Sequence, residues 1–213
     1  MRASSKASAI AAIAIVAIMV LSYAAYYIGR PRPRIEPPSP ELLSSYVGEG
    51  WALNSSRSFI ATFKAGSEEA FLTFLNGSTT TYNLSQTVQR GGLVTYRAEF
   101  EMPGPNGKPD GGLPRWVRVY TFTGPDGSYL VVEVFSANST QLDWTLESLE
   151  SKFGPPSEFD GVKYYAEMPY APLLKIIYVY AIYKEYLVVV STNASVPESS
   201  VAALAVNYAL SLP

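Results

Sequence analysis

Residues 7–28, ASAIAAIAIVAIMVLSYAAYYI, run for 22 positions without a charge. As a helix this stretch reaches roughly 33 Å, enough to cross a bilayer core of about 30 Å. A helix apolar on every side has no stable place in water, so the rest of the chain is read as something tethered at a boundary. The apolar part of a cleavable signal peptide is about 7 to 15 residues, and the greater length here favours a retained anchor. Tyr23, Tyr26 and Tyr27 near its far end suit the headgroup level of a membrane. The sequence therefore predicts a single-pass cell-membrane protein with a transmembrane anchor over 1–29, a stalk over 30–40 and one domain over 41–213. The lipid bilayer is its first partner.

The stalk rests on RPRPRIEPPSP, five prolines in the eleven residues 30–40. Proline lacks the N–H that helices and central strands require, so the run is expected to be extended polyproline II, up to about 30 Å long. Arg30, Arg32 and Arg34 sit where lipid headgroups would lie. Beyond Arg34 there are 11 basic and 18 acidic residues, a net of −7. An acidic domain lacks the positive field that attracts phosphate backbones, which argues against nucleic acid.

Charge alone does not orient the anchor, because Arg2 and Lys6 face Arg30, Arg32 and Arg34 across it. Five of the seven Asn residues, however, stand in N-x-S/T triplets: Asn54, Asn76, Asn83, Asn138 and Asn193. With 36 Ser and Thr among 213 residues, chance supplies about one such triplet, and the physical use of the motif is a glycan acceptor on an external surface. The C-terminal domain is accordingly expected to be extracytoplasmic, a cell-surface glycoprotein. Ala7 with Ala11 and Ser8 with Ala12 place small residues four apart, a spacing that permits oligomerisation through the Ala-rich helix.

The junction Lys6-Ala7 before a long apolar helix resembles the class III signal of archaeal type IV pilin-like proteins. The resemblance covers about the first 28 residues. It implies processing near Lys6/Ala7 and a helix packed in the core of a filament or pseudopilus. The lack of Cys and His together with the many triplets also resembles a surface protein of a heat-adapted archaeon.

Past residue 41 the pattern is that of an α+β fold: one twisted antiparallel sheet covered by two helices. Period-2 runs predict strands over 58–64, 70–75, 79–88 and 93–102, and a hairpin pairs 115–121 with 129–135 around Gly124-Pro-Asp-Gly127. Further strands are expected over 162–167, 173–183 and 186–192. Leu142, Leu146, Leu149 and Phe153 draw one apolar helical stripe over 140–153, with Thr140 placed as its cap. A second, largely apolar helix follows Ser195-Val-Pro-Glu198 and ends near Leu212. Both helices are expected on one face of the sheet.

The chain has no Cys and no His, which removes thiol nucleophiles, disulfides, thiolate metal sites and the usual neutral-pH acid/base residue. No catalytic, cofactor-binding or metal site is assigned, and no cofactor is expected. The glycine-rich segment 104–112 lacks P-loop spacing and reads as an exposed loop. Glu99 with Glu101 and Glu147 with Glu150 are carboxylate pairs of the kind sugar hydrolysis uses, and they are the basis of an alternative as an extracytoplasmic hydrolase. Aromatic crowding singles out Trp144, Tyr164, Tyr165 and Tyr170 as an interface, since aromatics give large contact area at low entropy cost. The leading expectation is a noncatalytic binding module or accessory subunit of an envelope complex, with an envelope protein or glycan as partner.

Overall fold

The computed structural model describes residues 34–63, 69–84, 100, 102–104, 112–167 and 176–213. The anchor run 7–28 lies outside the described residues, and among these no helix is long and apolar enough to cross a membrane. The chain divides into two compact units, one of residues 1–36 with Pro213 and one of residues 37–212. In the first, the Arg34 guanidinium pairs with the Glu36 carboxylate. The sheet and its helices belong to the second.

Its first helix grows directly out of the proline run. Ser39 has φ −69° and ψ 155°, the polyproline II values, and its hydroxyl accepts the Leu42 N–H at 3.2 Å. Pro40 then opens helix α1 (Pro40–Val47), where a missing N–H costs nothing and the fixed φ is already helical. The last proline of the predicted stalk thus belongs to the domain.

Among the described residues ten strands follow: β1 (Ala52–Leu53), β2 (Phe59–Phe63), β3 (Glu69–Phe74), β4 (Thr79–Asn83), β5 (Trp116–Thr123), β6 (Tyr129–Ser136), β7 (Ser157–Phe159), β8 (Val162–Glu167), β9 (Ile177–Tyr183) and β10 (Tyr186–Thr192). They make one sheet in the order β4-β3-β2-β5-β6-β10-β9-β8-β7, with β1 also paired to β5. Every pairing is antiparallel. Helix α2 (Ser139–Phe153) connects β6 to β7, and helix α3 (Glu198–Ser211) ends the unit.

Residues opposite one another in a ladder lie on the same face, so register sorts the sheet into two. One row of the first face reads Leu72, Ala61, Val117, Phe135, Leu187, Ile182, Lys163 from β3 to β8. Most of these join the core with Leu84, Phe100, Met102 and, from α2, Leu142. The adjacent row of the second face reads Thr79, Thr73, Ile60, Arg118, Val134, Val188, Ala181, Tyr164, Ser157. Here α3 packs across β8, β9 and β10 and against α1.

The two long helices therefore occupy opposite faces, not one. The consequence is visible in β10, where all of Tyr186, Leu187, Val188, Val189 and Val190 are buried. An unbroken apolar strand needs cover on both sides. α2 supplies one through the Phe153 ring, packed on Tyr165 and Tyr180, and α3 supplies the other.

Other elements differ in detail. The α2 cap is Asn138: its side chain accepts the Gln141 N–H at 2.9 Å while Gln141 Oε1 accepts the Asn138 N–H at 3.1 Å. A reciprocal capping box satisfies two orphan donors at once, and Thr140 falls inside the helix. Thr145 takes a buried place on the stripe and Leu146 is half-buried. The predicted strand 93–102 lies outside the described residues except for Phe100, which is helical, and Met102, which belongs to no strand; both are buried.

Leu204 in α3 is fully buried. Truncating such a side chain removes its transfer energy and leaves a cavity, so Leu204→Ala should lower stability by about 2–5 kcal/mol, read as a lower denaturation midpoint of the full chain in detergent.

Candidate functional site

Among the described residues, cover on the second face thins toward the β4 edge. The second-face residues of β6 and β10 are buried, α3 lies over β8, β9 and β10, and Tyr120 and Phe122 of β5 are buried as well, whereas Trp116, Arg118, Ile60 and Thr62 are half-buried and Thr73, Thr79 and Thr81 are exposed. Leu53 is opposite Phe122 on this face, Phe71 is opposite Thr81, and Leu75 continues the same alternation from Thr73. These three are 39%, 49% and 42% exposed, and with Phe159 they are the exposed large hydrophobics among the described residues. Ile60, Thr62 and Trp116 beside them are half-buried. The register sets Leu53 at the level of Phe122 and Phe71 at that of Trp116, with exposed Thr73 between Phe71 and Leu75.

The border between the open and covered halves is polar. The Arg118 guanidinium lies 5.3 Å from the Trp116 ring centroid, and that ring is 6.1 Å from the ring of buried Tyr186. Arg115 donates to Glu185 at 3.0 Å. Burial first, then the Glu185 carboxylate, pushes the Tyr186 phenol up to about 12 from 10. The cation–π contact sets an arginine beside a tryptophan, residue types enriched where interfaces are anchored.

A second feature lies on the first face beside α2. A cleft of about 300 Å³ is lined by Met102, Glu133, Thr145, Leu149, Tyr178 and Tyr180, among others. Glu133 stands mid-strand between Val119 and Val189. Tyr180 is pushed up to about 12 chiefly by burial, with Glu167, Tyr178 and Glu133 adding negative potential. Glu133 is the one carboxylate among the described lining residues. Glu167 pairs with Lys152 at 3.4 Å. A displacement needing two opposed carboxylates has no second group here among the described residues.

The aromatics singled out from sequence do not form one surface. Tyr164 and Tyr165 are consecutive in β8 and so point to opposite faces. Tyr164 is half-buried beside Phe159 and α3. Tyr165 is 4% exposed under Phe153, and its hydroxyl is buried without a hydrogen-bond partner among the described residues. Trp144 is half-buried on α2. Tyr170 lies outside the described residues, as do Glu99, Glu101 and most of 104–112. Glu147 and Glu150 are exposed. Among the described residues no group of three or more Asp or Glu could hold a metal ion.

The five triplet asparagines lie at the two ends of the sheet. Asn76, Asn83, Asn138 and Asn193 are exposed and Asn54 is half-buried. At Asn54 and Asn76 the Oδ1 accepts the hydroxyl of the triplet serine, Ser56 or Ser78, at 2.7 Å. Asn138 Oδ1 caps α2, and Asn193 Oδ1 accepts the Tyr129 N–H at 2.8 Å. In all four the oxygen carries the structural bond, which leaves the nitrogen, the atom that takes a glycan, outside that bond.

Sequence reasoning missed that Leu53, Phe71, Leu75, Trp116 and Arg118 share one sheet face. The available signal was negative: Thr-Thr-Thr-Tyr-Asn in β4 offers almost nothing to bury. No protein-family model, curated protein or solved structure matches the chain.

Tyr180 and Tyr186 give a pH prediction. Both phenols are raised from 10 to about 12 in the folded protein. Their contribution to stability is complete below pH 10 and is lost as pH rises from 10 toward 12. Phenolate absorbance should show these two ionising after the exposed tyrosines, and Tyr180→Phe should remove one late step and flatten the alkaline loss of stability.

Proposed function

We propose that this chain is a noncatalytic binding module of the cell envelope, anchored by its N-terminal helix with the sheet domain outside, and that it contacts an envelope protein or polymer through the open half of the second sheet face. One observation carries the reading: Leu53, Phe71 and Leu75 are exposed on that face, toward the β4 edge. Burying such a strip against a partner releases water from apolar surface, and Trp116 with stacked Arg118 supplies an anchor at its margin. The uncharged run 7–28, the prolines of 30–40 and the five N-x-S/T triplets support the outward placement.

A filament or pseudopilus subunit is the second reading, favoured by Lys6-Ala7 at the start of the Ala-rich run. The two differ at the N-terminus of the mature protein: mass spectrometry finds residues 1–6 present in the anchored module and removed in the filament subunit.

Two measurements test the leading reading. Protease added to intact cells should digest the domain beyond Glu36, and full protection would reverse the topology. Purified in mild detergent, the protein should carry a stoichiometric partner or polymer, and Phe71→Asp should release it without lowering the denaturation midpoint. Purification of the wild type with nothing bound would remove the binding reading.

A further inference from the structure

The two edges of the sheet are built differently. β7 is three residues long, follows Pro155 and Pro156, and carries Glu158. Shortness, proline and charge are the standard devices that stop an edge from recruiting another strand. β4 at the opposite edge has none of them: Thr-Thr-Thr-Tyr-Asn is uncharged, lacks proline and is exposed at Thr79, Thr80 and Thr81.

Its backbone also points the wrong way for safety. The Phe74 N–H donates to the Ser78 carbonyl at 2.8 Å, which fixes the alternation of the β3–β4 ladder. Thr80 then bonds to β3, while Thr79 and Thr81 turn their N–H and C=O groups away from β3. β3 is the one strand paired with β4 among the described residues.

What β4 does have is a triplet asparagine at each end. Asn76 sits in the turn that leads into it and Asn83 is its last residue, both exposed. The five-residue strand spans roughly 15 Å, short enough for two hydrated oligosaccharides to flank its whole length.

We infer that glycans on Asn76 and Asn83 are the guard of this edge, doing for β4 what proline and charge do for β7, and that without them β4 pairs with β4 of a second copy. The inference rests on the outward placement proposed above. It assigns a role to two of the five triplets and leaves Asn54, Asn138 and Asn193 without it.

The chain has no cysteine, so Thr81→Cys introduces a single reporter at the centre of the strand. In a symmetric antiparallel β4–β4 pair the two copies of position 81 would be about 5.5 Å apart at Cα, which brings the introduced thiols within disulfide reach. Full-length T81C protein is purified in detergent from a host that N-glycosylates, then oxidised. The disulfide dimer should be scarce with the triplets intact and should rise about tenfold after enzymatic deglycosylation of the folded protein. Ser78→Ala with Ser85→Ala removes both triplets while keeping the Asn76 turn and should give the same rise. Adding Thr79→Lys should reverse it.

No rise on deglycosylation overturns the inference, and so does an equal rise in a Ser56→Ala/Thr140→Ala control. Glycans found by mass spectrometry on other asparagines but not on Asn76 and Asn83 overturn it while the outward placement stands. Glycans on none of the five remove both.

Discussion

Strand β10 has to be dry on both sides, and most of the domain's architecture follows from that. Five consecutive buried residues, Tyr186–Val190, leave no face for water. A strand of this kind is stable only at the centre of a sheet with a covering layer above and below. Its neighbours β6 and β9 pair with it in full register, and the helices that follow β6 and β10 fold back onto opposite faces. α2 lays Leu142 and Phe153 on one side, and α3 lays Val201, Leu204, Ala205 and Tyr208 across the other.

Among the described residues, the two long helices do not reach across all ten strands on either face. The sheet is consequently two-sided around β10 and one-sided toward β4, and the change happens within single rows of paired residues. The row that begins Val188–Val134 under α3 ends in Ile60, Thr73 and Thr79 in the open. Arg118 stands at the crossing point with its charge stacked on Trp116, an arrangement that lets a cation occupy a half-buried site without losing all its hydration. The open half, its aromatic margin and its unguarded edge are three aspects of one shortage of cover.

Much of this was readable from the residues. The hairpin around Gly124-Pro-Asp-Gly127, the strands over 162–167 and 186–192, and the last helix appear where periodicity placed them, because turn chemistry and apolar period are local. The uninterrupted Leu-Val-Val-Val of β10 also carried the message that helices lie on both faces, although a one-face arrangement was expected. Phe71 and Leu72 show the limit. Both are apolar neighbours in β3, yet one is half exposed and the other buried, and nothing local says which parity turns inward. Pairing of Leu72 with Ala61 decides it. Tyr164 and Tyr165 split in the same way, which is why a cluster drawn from sequence proximity dissolved in space.

The sequence by itself determined the uncharged N-terminal run, the proline segment, the acceptor triplets, the exclusion of Cys and His chemistry, and an α+β domain with long antiparallel strands. These are properties of composition and of spacing over a few residues. Only the tertiary structure decided which face each strand residue takes, that α2 and α3 lie on opposite sides, and that β4 ends the sheet among the described residues. Those depend on pairings between residues as far apart as Arg118 and Ile60 or Leu187 and Phe135. Register is a relation between strands, and a shift of one residue would turn every side chain of a strand to the other face.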